Sequence, residues 1–252
     1  MRNTTLVTLT AIGFVSIVSS QAKAQTVANA LQIGLGTDFV SYSNYTQRVT
    51  TPPIAAPGAP PPAGATVDYK NDIHQTRWGV SDHSNVNLEI GYGLNDNWVI
   101  GGLLVLGGWS DSQHEGILAS PQNQQRSTFN LFIGPKVDYM FLPESRVRPF
   151  LGAAIGLSRT TYNLTNTNPL SVTTTGESWG YTGVGLFLRG GIRWFLTPGF
   201  SLDPAFVFGF SSMTGSAQGV PGRCGLDTAN YDSGLTGFSV GLGVTASGWV
   251  GL

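Results

Sequence analysis

The sequence is poor in the residues that most soluble chains rely on. Its single cysteine, Cys224, leaves no partner for an intrachain disulfide and no CxxC metal or redox site. Charged residues are only 11% of the 252, against about 25% in a typical soluble domain. Thirteen basic and fourteen acidic residues are scattered along the chain, which excludes the basic footprint that a nucleic-acid partner needs. Past the N-terminal segment there is no apolar run of about 18 residues, so no helical membrane span is expected.

What the chain does have is glycine, 34 residues, and aromatic side chains at 11%, dispersed rather than gathered into blocks. The first residues are the exception. Arg2 supplies a positive start, Leu6 to Val18 is apolar with interspersed Thr and Ser, and Ala22-Lys23-Ala24 fits a small-residue cleavage rule. Residues 1–24 therefore read as a secretory signal peptide, and residue 25 is Gln and not Cys, so no lipoprotein anchor is expected. Loss of Arg2 and Lys23 takes the formal net charge from -1 to -3, and residues 25–252 form the exported chain.

That chain alternates with a period of two, the signature of strands with unlike faces. The clearest stretch sets Phe129, Leu131, Ile133, Pro135, Val137, Tyr139 and Phe141 against Thr128, Asn130, Gly134, Lys136 and Asp138. Similar stretches centre on Leu31 to Phe39, Val86 to Leu94, Leu151 to Leu157, Val184 to Trp194, Leu202 to Phe210 and Phe238 to Val244. Trp98 to Trp109 is apolar on both faces and completes a set of eight strands. Short turns at Asn95-Asp96-Asn97, Leu142 to Arg146 and Thr197-Pro198-Gly199 alternate with long polar loops. The loops are expected at Tyr42 to Asp82, Ser110 to Arg126, Thr160 to Ser178 and Ser211 to Gly234, with the flanks of the first extending its strands as a hairpin. Short connections at one end and long ones at the other predict an all-β, eight-stranded, antiparallel up-and-down transmembrane barrel, with periplasmic turns and extracellular loops. In a soluble sandwich the polar face would be rich in Lys, Glu and Thr; here it is Gly and Ser, which suit a narrow filled bore. Tyr92, Trp98, Tyr139, Phe141, Trp194 and Phe200 cluster near the turns, and Phe39, Trp109, Trp179, Tyr181 and Phe210 near the loops. They are expected to form two aromatic girdles. Pro135 and Pro204 fall inside strands and should mark bulges or strand ends.

On the segments Arg148-Pro149-Phe150-Leu151-Gly152-Ala153-Ala154-Ile155-Gly156 and Gly190-Gly191-Ile192-Arg193-Trp194-Phe195-Leu196-Thr197-Pro198, together with the alternating last strand, the chain resembles the OmpA/OmpX-like eight-stranded outer-membrane barrels. The resemblance covers the exported chain. It implies a location in the outer membrane of a Gram-negative-type bacterium. It also implies as partners the outer-membrane lipids including lipopolysaccharide, the barrel-insertion machinery and periplasmic chaperones. The chain departs from the family in ending Trp249-Val250-Gly251-Leu252, where many members end in Phe, and no peptidoglycan-binding domain is expected after the last strand.

Projecting the alternation inward puts Asp38, Glu89, Asp138 and Asp203 in the bore against Lys136, Arg148, Arg189 and Arg193. Unpaired buried charge costs several kcal/mol per ion, so a balanced set suits a closed interior. Asp138 and Arg148 are symmetric about Pro143, and Arg193 and Asp203 about Pro198, which predicts two cross-strand ion pairs. Glu89, Lys136 and Arg189 are expected to form a second layer above them. Such a network could gate an ion path, or specify register and plug the bore; the plug is the favoured reading.

No catalytic, cofactor or metal site is expected. His83-Ser84 and His114-Glu115 are sequence neighbours, which a strand sends to opposite faces. Cys224 lies in a turn-rich loop. Pro52, Pro53, Pro57, Pro60, Pro61 and Pro62 favour an extended loop without a core, a surface shield or a ligand for a partner's aromatic groove. The expected role is non-enzymatic: envelope structure and surface interaction through the loops. A narrow conduit for small or apolar solutes is the alternative, and a lipid-modifying enzyme a distant third.

Overall fold

The structure, a computed structural model, describes residues 26–51, 67–78, 85–115, 122–168, 173–218 and 230–251. Its strands are β1 Ala30–Thr51, β2 Val67–Trp78, β3 Val86–Gly93, β4 Trp98–Glu115, β5 Gln122–Met140, β6 Val147–Asn168, β7 Thr173–Thr197, β8 Phe200–Gln218 and β9 Asn230–Gly251. Each pairs antiparallel with its neighbour, and β1 pairs with β9, so the sheet closes on itself. Closure leaves no free edge at the membrane level, as a spanning sheet requires. Among the described residues nine strands fill eight places in the ring. β3 pairs with Leu31 to Thr37 of β1 and β2 with Val40 to Thr51, so the second place is supplied in two pieces.

The alternation becomes two faces. Leu151, Ile155 and Leu157 of β6 point outward and are more than half exposed, as do Ile133 of β5 and Val184 of β7. Burying such an apolar band in lipid is what holds a barrel in a bilayer. Trp98, Phe141 and Trp194 are exposed near the turns, and Phe39 and Phe210 near the loops. Trp179 and Tyr181 are not part of that outer girdle: they are buried inside, because they share the face of β7 that carries Arg189 and Arg193. The side chain of Trp109 lies outside the described residues. The ambiguous Trp98 to Trp109 segment resolves with Val99 and Leu103 buried inward and Trp98, Ile100 and Leu106 outward.

Two expectations about the backbone are corrected. The long loops are much shorter than their polar composition predicts: β4 and β5 pair as far as Glu115↔Gln122, β6 and β7 to Asn168↔Thr173, and β8 and β9 to Gln218↔Asn230. Both faces of a strand meet polar surroundings above the bilayer, so the alternation that betrays a strand disappears while the hydrogen bonds continue. Neither Pro135 nor Pro204 marks a bulge or an end. The β5–β6 ladder skips from Ile133↔Leu157 to Lys136↔Ala154, and the β7–β8 ladder from Gly191↔Ala205 to Trp194↔Leu202, both without a change of register. Each proline removes a donor toward one neighbour and the ladder loses rungs there. The β1–β9 pair instead bulges at Phe39, between Asp38↔Gly243 and Val40↔Leu242. The Pro52 to Pro62 run, His83 and Cys224, and the side chains of His74 and His114, lie outside the described residues.

Candidate functional site

The interior is built in storeys. Lowest, at the periplasmic end, Val27, Ala30, Val99, Met140, Phe150, Phe195 and Trp249 form a buried apolar cluster. The segment before β1 closes it from below. The Asp96 carboxylate, in the β3–β4 turn, accepts from Thr26 Oγ1 at 2.5 Å, Val27 N at 2.9 Å and Ala28 N at 3.3 Å. Partial burial acts to raise this carboxyl, but the three donors and the nearby Arg148 outweigh it and hold it below the usual carboxylate range. Trp249 Nε1 donates to Ser201 Oγ at 3.0 Å, which fixes the last strand against β8.

The next storey is ionic. Lys136 Nζ lies 2.5 Å from Glu89 Oε2 and 3.3 Å from Asp138 Oδ2. Arg189 donates to both oxygens of Glu89, through Nη1 and through Nη2 at 2.9 Å, and to both of Asp138, through Nε at 3.0 Å and Nη2 at 2.5 Å. Arg193 Nε meets Asp203 Oδ2 at 2.9 Å and its Nη2 approaches Asp138 at 3.4 Å. Glu89, Lys136, Asp138, Arg193 and Asp203 are buried. Three carboxylates against three cations, each hydrogen-bonded, meet the condition under which buried charge is tolerated. Arg193 also lies 5.1 Å from the Phe150 ring and 4.9 Å from that of Trp249, which ties this storey to the one below.

Of the two turn pairs expected, the structure forms Arg193 with Asp203 and not Asp138 with Arg148. The β5–β6 register sets Asp138 opposite Gly152, because β6 begins farther toward the periplasm than symmetry about Pro143 requires. Arg148 lies instead opposite Arg193, with Nε donating to Ser145 O at 2.9 Å and its guanidinium 4.8 Å from the Phe195 ring. The expected second layer and the turn layer are one network: Glu89, Lys136 and Arg189 all reach Asp138 or each other directly. Asp38 is not in it. It sits one storey up, where Asn85 Nδ2 donates to its Oδ2 at 3.1 Å. Sequence reasoning missed Gln32, whose amide bridges Lys136 Nζ at 3.2 Å and Ser247 Oγ at 3.0 Å.

Above the ionic floor the bore is not filled. A cavity of about 600 Å³ is lined by Leu103, Val105, Phe132 and Phe187 on one side and by hydroxyl and amide side chains elsewhere. Its ceiling is a second buried cluster, Val49, Trp179, Tyr181, Met213 and Leu235, with Tyr162 stacked on Trp179 at 4.5 Å. A hydrogen-bond chain laces that ceiling across three strands: Gln47 Nε2 donates to Tyr181 Oη at 2.7 Å, which lies 2.9 Å from Ser233 Oγ. The inward apolar residues were legible in principle, since Phe132 shares a face with Lys136 and Phe187 with Arg189. Counting back in steps of two from the charged residues would have found them.

Known proteins offer fold-level likenesses. OprG of Pseudomonas aeruginosa is 12% identical, with 87% of this chain covering 96% of that one at a TM-score of 0.45. The outer membrane protease OmpT of Escherichia coli is 10% identical over 92% and 99% of the two chains, TM-score 0.44. The attachment invasion locus protein Ail of Yersinia pestis is 13% identical over 86% and 99%, TM-score 0.34. No curated protein sequence matches the chain. The profile of the outer membrane protein beta-barrel domain matches residues 10–203. That match spans most of a closed antiparallel ring with an apolar outer belt, and the chain belongs to the outer membrane β-barrel family of the Gram-negative envelope.

Proposed function

We propose that this barrel is a non-enzymatic envelope protein that passes nothing through its bore and works from its extracellular half. One observation carries the reading: the pair between Glu89 on β3 and Arg189 on β7 joins opposite sides of the ring, with an apolar storey beneath it. An ion crossing that level would have to separate charges that are buried and mutually satisfied, at a cost of several kcal/mol. The six-residue network of Glu89, Lys136, Asp138, Arg189, Arg193 and Asp203 is in this reading a plug that fixes register, and not a gate. The belt and girdles fit outer-membrane lipids, lipopolysaccharide among them, and assembly would depend on periplasmic chaperones and the insertion machinery. The paired hairpins that rise above the membrane would carry the surface role and meet a surface ligand.

The experiment is single-channel conductance of the refolded chain in a planar bilayer, beside Arg189→Ala and Glu89→Ala. The wild type should be silent while its folded, heat-modifiable band is intact. Steady wild-type steps that change size with either substitution would overturn the reading and establish a wet, gated lumen, the conduit alternative.

A further inference from the structure

We propose that the chamber above the ionic floor is a binding site for a neutral two-ring solute, one ring apolar and the other carrying hydroxyls, as in an aryl glycoside. The inference goes beyond the proposed function and shares with it only the closed floor.

Size comes first. About 600 Å³ lies within the range of small-molecule pockets and far above what one or two waters need. Two different surfaces line it. Phe132 and Phe187 meet edge to face with centroids 4.5 Å apart, and with Leu103 and Val105 they make a wall against which a flat apolar ring packs. Around and above that wall the lining is short and polar: Thr128, Asn130, Ser158, Thr160 and Ser211.

Hydrogen bonding sets the chemistry of the second ring. The chamber is lined by the hydroxyl residues Ser158, Thr160 and Ser211 and by the amide residue Asn130, whose groups both donate and accept. An all-apolar solute would cover them without offering partners, which is unfavourable. A set of ligand hydroxyls, which also donate and accept, matches that lining.

Charge sets the remaining condition. Among the described residues the one cation lining the chamber is Arg189, and its donors are occupied by Glu89 and Asp138. Asp203 is held by Arg193, and Asp38 accepts from Asn85. A net-charged solute finds no counter-ion that is not already engaged, and desolvating it there is unfavourable. The stacked Tyr162 and Trp179 of the ceiling complete the site and place an indole at its edge.

The probe is 4-nitrophenyl β-D-glucopyranoside, whose nitrophenyl ring quenches tryptophan fluorescence, titrated into the refolded full chain in lipid nanodiscs. The expected result is saturable one-to-one quenching that loses most of its amplitude in Trp179→Phe. Affinity should fall at least tenfold in Ser211→Phe, which fills the chamber, and several-fold in Thr160→Val, which changes its polarity at constant volume. Neither 4-nitrophenyl phosphate nor 4-nitrobenzylamine should saturate. Non-saturating quenching, equal affinity in the chamber variants, or equal binding of either charged probe would overturn the proposal. If Ser211→Phe does not fold, Thr160→Val makes the same comparison. A barrel that binds the glycoside and conducts overturns only the function proposed above; one that neither conducts nor binds overturns only this inference.

Discussion

Arg189 and Glu89 lie on strands four places apart in a ring of eight, so the two-pronged pair between them runs across the bore. Arg189 gets there by passing over Gly152: its own cross-strand partner is Gly152, and the residue beyond that on β5 is Asp138, which it also binds. One guanidinium thus ties three strands, β3, β5 and β7, across the bore.

Removing either end of the pair should be costly, and removing both less so than the sum. Arg189→Ala leaves Glu89 and Asp138 with Lys136 and Arg193 only, and Glu89→Ala leaves Arg189 half paired. Each should destabilise by about 3–5 kcal/mol, because an uncompensated buried charge remains. The double substitution restores the charge balance. Urea unfolding in lipid vesicles of the four proteins checks this; strictly additive losses would show that the two residues do not act as a unit.

The space that Arg189 uses is the missing side chain of Gly152. A Cβ there would lie 2.2 Å from Asp138 Oδ1 and 3.0 Å from Arg189 Cγ. Gly152→Ala should therefore push the ion pair apart and cost about 1–3 kcal/mol, the range for overpacking. Gly180 on the same strand as Arg189 faces open space, so Gly180→Ala should be neutral in the same unfolding measurement. Equal effects at the two positions would contradict the packing.

Much of this was legible in the sequence, and the misses share one cause. Period-two patterning locates a strand and its apolar face only while the surroundings of the two faces differ. It worked for Ile133 and Leu157, which meet lipid, and for Lys136 and Asp138 on the opposite face. It failed above the membrane, where β6 and β7 pair through Asn168 and Thr173 in a stretch read as loop. Apolar side chains on the inner face were hidden for the same reason: Phe132 and Trp179 resemble membrane-facing residues by type and are distinguished only by counting from a charged neighbour. Register was legible where the turn is tight, at Arg193 and Asp203, and not where Leu142 to Arg146 shifts the strands, at Asp138 and Arg148. The left-handed φ of 54° at Leu142 belongs to that irregular turn.

The inward placement of two tryptophans can be checked directly. Trp98 and Trp194 are 42% and 48% exposed on the outer face, while Trp179 and Trp249 are 7% and 4% exposed inside. In vesicles of brominated lipid, variants retaining Trp98 or Trp194 alone should be quenched. Those retaining Trp179 or Trp249 alone should not. Strong lipid quenching of Trp179 would return it to the girdle and remove the ceiling of the chamber.

The N-terminal strap should respond to acid. Asp96 is held below its ordinary value by the donors that pin residues 26–28, so its contribution is complete above the unfolded pKa of about 4. It is lost as pH falls through the lower folded value. Protection of the Val27 and Ala28 amides from hydrogen exchange, corrected for the intrinsic pH effect, should be flat from neutral pH down to about 4 and fall below it. Asp96→Asn should abolish the step. Protection that stays flat in the wild type to pH 2 would mean that Asp96 does not hold the strap.

The bulge at Phe39 leads to the least intuitive expectation. Asp38 points inward and pairs with Gly243, and Val40 points outward and pairs with Leu242, so Phe39 is an extra residue between two in-register halves. Deleting it lets Val40 follow Asp38 in ordinary alternation, with Ser41, Ser43 and Tyr45 still lining the chamber. The barrel should fold and lose only an outer-face aromatic. Deleting Leu35 instead removes a regular position, and the slack can be absorbed only by turning Asp38 to the lipid and Phe39 into the bore. That variant should fail to give the folded, heat-modifiable species, because a carboxylate on the lipid face is disfavoured and the chamber would be blocked. If the two deletions behave alike, the parity of β1 is not set by the bulge, and the assignment of Asp38 to the interior falls with it.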